Sequence, residues 1–203
     1  MVNHPEWGGA IYTYGSTNVD VIGNRIYDAL GITFGSTVSW PTLRNIGGTV
    51  KDNIVENTNF DGVEIYSDHV LVENNEIQNC GGYAIRITAT DVTVQYNDLH
   101  GNNGGILVED NSPIASTGIS VHWNNIEGNT AYGLNNEAIL IVDATHNWWG
   151  HASGPSGPGG RTNPAGKVVG EGDAVSVNVE WDPWLPQPIR LTPHDPVPPG
   201  LTG

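Results

Sequence analysis

The feature that most constrains this chain is a spaced phrase, Val-x-x-Asn-x-apolar, that keeps returning. It reads Val21-Asn24-Ile26, Val50-Asn53-Val55, Val72-Asn75-Ile77, Val94-Asn97-Leu99 and Val121-Asn124-Ile126, with a last copy at Ala144-Asn147-Trp149. Its asparagines lie 29, 22, 22, 27 and 23 residues apart. Extra length from Val38 to Gly48 and from Glu109 to Thr117 fills two of the wider gaps, and without it the period is about 22 throughout. A second phrase follows each asparagine by seven to nine residues: a small residue, then apolar-x-apolar. Examples are Gly31-Ile32-Thr33-Phe34, Gly62-Val63-Glu64-Ile65, Ala84-Ile85-Arg86-Ile87 and Gly105-Ile106-Leu107-Val108, and the pattern decays at Gly133-Leu134-Asn135-Asn136.

Alternation is the period of a strand. Three short strands per repeat with no helix describe an all-β solenoid, a single-stranded parallel β-helix of about six to seven coils. Coils stack at strand spacing, about 4.8 Å. Asn24, Asn53, Asn75, Asn97, Asn124 and Asn147 then fall into a column. Each amide can donate to the next side chain and accept from the previous one, which removes the cost of burying a lone polar group. Asn74, beside the column, faces outward or shapes the turn. Hairpin turns of a β-sandwich would also be rich in Asn and Gly, but they do not recur at constant period in fixed columns.

Net charge is −15, although only 14% of residues are charged, because bases are scarce. Such a chain lacks the clustered Lys and Arg that nucleic acid needs. No apolar run approaches the length that inserts in a membrane. Cys80 is the single cysteine, so no intrachain disulfide framework exists. The start, MVNHPEWGG, has no basic segment leading into an apolar one and reads as processed, truncated or recloned.

From about Val19 to Gly150 the repeats resemble the parallel β-helix repeat family, also called right-handed β-helix or pectate-lyase-like proteins. "NWWGHASGPSGPGG" (Asn147 to Gly160) and "GDAVSVNVEWDPWL" (Gly172 to Leu185) are similar to the C-terminal end of many β-helix domains of secreted and surface-layer-like proteins. The resemblance implies right-handed coiling, as parallel crossovers favour. It also implies an extracellular or cell-surface location. One domain is expected over residues 1–185, with residues 147–185 as a cap and residues 186–203 as a proline-rich tail or linker. A coil stack ends in an open apolar cross-section, and Trp148, Trp149, Trp181 and Trp184 supply the area to cover it, with a strand expected from Val175 to Val179. The tail would lead away to something beyond, or be strapped along the domain or a neighbour.

In the family, catalytic members use a groove along the Gly-apolar-x-apolar strands. The outward positions there read Thr33, Glu64, Arg86, Leu107 and Asn135, and two residues on Gly35, Tyr66, Thr88, Glu109 and Glu137. Glu64, Tyr66 and Arg86 are therefore candidate substrate contacts, with Glu64 and Arg86 facing each other as an ion pair between coils. Glu109 and Glu137, like charges about one coil apart, are the candidate catalytic acid and nucleophile. With Asp110 they could instead hold calcium, although no cofactor is required. Glu109 and Glu137 could equally be solvated and splayed apart. The Asn-Thr-Asp, Asp-Asp and Gly-His-Gly set of polygalacturonases is missing, as is the Asp-Pro-His-Asp element of mannuronan epimerases. Two readings stand. One is a non-enzymatic extracellular module, structural or adhesive, that binds glycans weakly and pairs with copies of itself or builds a filament or surface layer. The other is a polysaccharide-active enzyme working around Glu109 and Glu137.

Overall fold

The computed structural model describes residues 10–35, 46–111, 115–157 and 170–191. Within them the chain winds through three parallel sheets, visiting each once per coil. Sheet 1 stacks Ile11–Thr13, Ile32–Gly35, Val63–Tyr66, Tyr83–Ile87, Gly104–Val108 and Leu134–Asn136. Sheet 2 stacks Thr17–Ile22, Ile46–Lys51, Asp68–Glu73, Thr93–Gln95, Ser120–His122, Val142–Asp143 and Val179–Glu180. Sheet 3 stacks Arg25–Tyr27, Ile54–Glu56, Glu76–Gln78, Asp98–His100 and Asn125–Glu127. This is the parallel β-helix that the repeat predicts. Parts of both long gaps, residues 36–45 and 112–114, lie outside the described residues.

Register follows the sequence columns. Val50 pairs with Val21 and Val72, and Val94 with Val72 and Val121. These valines, the Ile26-Val55-Ile77-Leu99-Ile126 column and the inward residues of sheet 1 fill one continuous core. Full burial of each such side chain contributes about 1.5–3 kcal/mol. The small residue that opens each sheet 1 strand has a steric cause. A Cβ built on Gly31 would lie 1.9 Å from the carbonyl oxygen of Gly62 on the next coil.

The asparagines stand between sheets 2 and 3 and are hydrogen-bonded from coil to coil. Asn53 donates through both its backbone N–H and Nδ2 to Oδ1 of Asn75, at 3.0 and 2.9 Å. Asn24, Asn75, Asn97 and Asn124 repeat the arrangement with the next asparagine up the stack. The second Nδ2 hydrogen of Asn75 reaches Val50 O. Asn53, Asn97, Asn124 and Asn147 are fully buried and Asn75 is 1% exposed, with every amide partnered. Asn74 takes φ 52° and donates to Asp52 Oδ1, so it shapes the turn outside the ladder.

A second polar column escaped the sequence reading. Asn102 donates to Asn129 Oδ1 through N and Nδ2, and Asn129 donates through the same atoms to Oδ2 of Asp173. Cys80 N donates to Asn102 Oδ1 one coil earlier. The signal was in the sequence: Asn102 and Asn129 each follow a ladder asparagine by five residues. Cys80 fills that place in its own coil, and burial pushes its thiol up.

The C-terminal segment closes the stack. Gly172–Ala174 runs beside Pro155–Ser156, Val175 bridges Leu134, and Val179 pairs with Val142. The strand expected from Val175 to Val179 is thus broken in two, because Asn178 turns the backbone to φ 61°. Trp149 takes the place of the apolar residue two after the ladder asparagine and is fully buried, with Trp181 2% exposed and Trp148 9%. Trp184 packs partly buried against the core, over Gly154. Residues 186–191 do not lead away: Ile189 N donates to Asn125 Oδ1, and Asn125 Nδ2 donates back to Ile189 O. Residues 192–203 lie outside the described residues.

Two substitutions separate ladder from turn. Asn75→Ala leaves the N–H groups of Asn53 without their acceptor and is expected to lower unfolding free energy by roughly 3 kcal/mol. Asn74→Gly, which suits the left-handed turn, should stay within about 1 kcal/mol of the native chain. Urea denaturation of both variants measures the contrast.

Candidate functional site

The outward surface of sheet 1 gathers the polar side chains that sequence spacing placed there. Thr33 pairs with Glu64, Glu64 with Arg86, Arg86 with Leu107 and Leu107 with Asn135. Two residues on, Gly35 pairs with Tyr66. Tyr12 precedes Thr33 in the same column, and its exposed ring stacks on that of Tyr14 at 6.1 Å. Neither tyrosine had been singled out, because the first coil falls outside the clearest repeats.

Side-chain partners differ from the sequence expectation at several points. Arg86 does not pair with Glu64. Its Nε donates to Asp61 Oδ2 at 2.5 Å and its Nη1 to Glu109 Oε1 at 3.0 Å. Burial works against the guanidinium charge, but the bonds to Asp61 and Glu109 outweigh it and hold the pKa above its ordinary value. Asp61 is also anchored by the N–H of Tyr83. Glu64 instead accepts from Thr33 Oγ1 at 2.8 Å and from the Tyr66 hydroxyl at 3.3 Å. Tyr66 is buried, not presented to solvent, and burial together with the Glu64 carboxylate pushes its phenol up.

Glu109 and Glu137 do occupy neighbouring coils, since Glu137 N donates to Val108 O. Their carboxylates nevertheless serve different partners. Glu109 Oε1 receives Arg86 and, at 3.3 Å, Thr88 Oγ1. Glu137 Oε1 receives Asn135 Nδ2 at 2.9 Å, and Asn135 also reaches the Tyr83 hydroxyl. Asp110 accepts from Ser116 N at 2.7 Å and Ile139 N at 3.4 Å. Among the described residues no three His, Cys, Asp or Glu side chains converge as a metal site. Glu109, Asp110 and Glu137 thus each take their hydrogen bonds from a different group, Arg86 and Thr88, backbone N–H groups, and the Asn135 amide respectively.

Elsewhere acidic groups are held less favourably. On sheet 3 the carboxyl of Asp98 is pushed up by burial, and the charges of Glu127 and Glu76 raise it further, against a lowering from His100. Near the cap, Glu127, Asn129, Trp149, Glu171 and Asp173 line part of an open cleft of about 480 Å³. Asp173 is tied there to the N–H groups of Gly128 and Asn129.

A family model described as the right handed beta helix region matches residues 9–148 of this chain. The chain belongs to that family, which makes the stack of three parallel sheets a right-handed β-helix. No curated protein and no solved structure matches the chain significantly.

Arg86→Met leaves Asp61 and Glu109 without their counter-charge and should cost about 3 kcal/mol of stability, part of it restored by adding Asp61→Asn. Chemical denaturation of the single and double variants measures this. Burial in the folded chain raises the Asp98 carboxyl above its ordinary value. Its contribution is present below the ordinary carboxylate range and is lost as pH rises through the raised value. Asp98→Asn should therefore raise Tm at pH 7, and the gain should close below about pH 4.

Proposed function

We propose that this chain is a non-catalytic β-helix module of the cell exterior, a rigid scaffold that adheres through weak glycan contacts. The observation that carries this reading is the engagement of Glu109. A retaining glycosidase needs one carboxyl held protonated and a second free to attack, both facing the same sugar. Here Glu109 is bonded to Arg86 and Thr88, while Glu137 is bonded to Asn135. The outward polar groups of sheet 1 largely satisfy one another, as on a surface built to keep its shape.

The glycan part of the reading rests on exposed aromatic rings beside hydrogen-bonding groups, such as Tyr12 and Tyr14. The scaffold part rests on the coil-to-coil ladder and the closed C-terminal end. Filament growth through that end would have to displace Trp149, Trp181 and the segment docked on Asn125.

Reducing-sugar release from a panel of plant, fungal and bacterial polysaccharides tests the absence of catalysis. The expected result is no product from the native chain. Product that disappears in Glu109→Gln or Glu137→Gln would establish the enzyme reading instead.

A further inference from the structure

The residue just before each ladder asparagine occupies a left-handed turn: Gly23, Asp52, Asn74, Tyr96, Trp123 and His146. Gly, Asp and Asn suit that backbone, whereas bulky aromatic residues seldom adopt it. Yet Tyr96 sits at φ 55°, Trp123 at 58° and His146 at 60°. They stand on consecutive coils, because Tyr96 N donates to Trp123 O and Trp123 N to His146 O. Nothing in the core calls for them. Tyr96 is 41% exposed and Trp123 37%, while Trp148, Trp149 and Trp181 are buried in the cap. Trp123 lies flat against His146, with ring centres 4.8 Å apart. An unfavourable backbone carrying solvent-facing rings on successive coils points to a surface kept for binding.

We propose that Tyr96, Trp123 and His146 form a binding site for a neutral glycan, on the turn between sheets 2 and 3 and separate from the outward face of sheet 1. This deepens the adhesive reading above and rests on its glycan part. Aromatic rings offer an apolar surface to the C–H face of a sugar ring, and the polar neighbours supply its hydroxyl partners. On the sheet 2 side stand Gln95, whose Nε2 is bonded to Glu73, and His122, whose Nδ1 is 2.8 Å from Thr145 O and whose Nε2 is 3.6 Å from Asp143. On the sheet 3 side stands Asp98, next but one to Tyr96. Carboxylates accept from sugar hydroxyls. Together with the net charge of −15 they select against polyuronates and other anionic glycans.

Native affinity gels containing mixed-linkage glucan, galactomannan, xylan or polygalacturonate test the site with the whole chain. The native protein should be retarded in at least one neutral gel and not by polygalacturonate. Trp123→Asn should weaken that retardation at least tenfold, and Tyr96→Asn should weaken it as well. Because asparagine suits the left-handed turn, Tm of both variants should be unchanged or higher. Retention of native affinity in Trp123→Asn overturns the site, and so does a Tm drop of several degrees, which would make the ring a structural element. Loss of retardation in Tyr12→Ser with Trp123→Asn unaffected would leave the glycan reading standing and move it to sheet 1. Absence of retardation of the native chain in every gel removes the glycan reading and this site with it.

Discussion

The fold depends on one interaction: a buried side-chain amide that finds its partners only on the coils above and below. Asn53, Asn75, Asn97 and Asn124 each present two donors and an acceptor where no water reaches. Such a group is costly in an apolar interior unless every bond is made. Only one vertical register makes them all, because a one-residue slip would turn the amides out and the valines with them. The ladder thus does for a stack of short strands what apolar packing alone does poorly. It distinguishes the correct register from neighbouring ones that bury similar area.

Everything functional is placed by that register. A residue's offset from its ladder asparagine decides its sheet and its face. Two residues later it points into the core, as Ile77 and Leu99 do, and one residue earlier it lies on the outer turn, as Tyr96 and Trp123 do. The same logic explains the closing end. Trp149 stands at a core offset and is fully buried beside Trp181, and Asn136 stands where earlier coils put Phe34, Ile65 and Ile87. Its amide bonds Leu140 O and Asn178 O, so the last coil is joined to the segment that covers it.

The architecture was legible in the sequence because a solenoid repeats its constraints. The columns Val-Asn-apolar and Gly-apolar-x-apolar are backbone facts repeated several times, and the sheet 1 register of Thr33, Glu64, Arg86, Leu107 and Asn135 followed from them. Side-chain partnership was less legible. Arg86 faces Glu64 by register but reaches diagonally to Asp61 and Glu109, and a long flexible side chain has that freedom while a backbone column does not. Tyr66 read as an outward residue, yet it folds back onto Glu64 and is covered. The second ladder was visible as Asn102 and Asn129, but its interruption by Cys80 and its end at Asp173, far along the chain, concealed it. The Tyr96 and Trp123 column drew no attention, because sequence alone does not report that their backbone is left-handed.

The docking of Ile189 on Asn125 has a mechanical meaning. The two residues are 64 positions apart, and their paired bonds fasten the last described segment to the side of the stack, short of its end. Lifting that segment away from the stack means breaking both bonds together, at the edge of sheet 3 where Asn125 opens its strand.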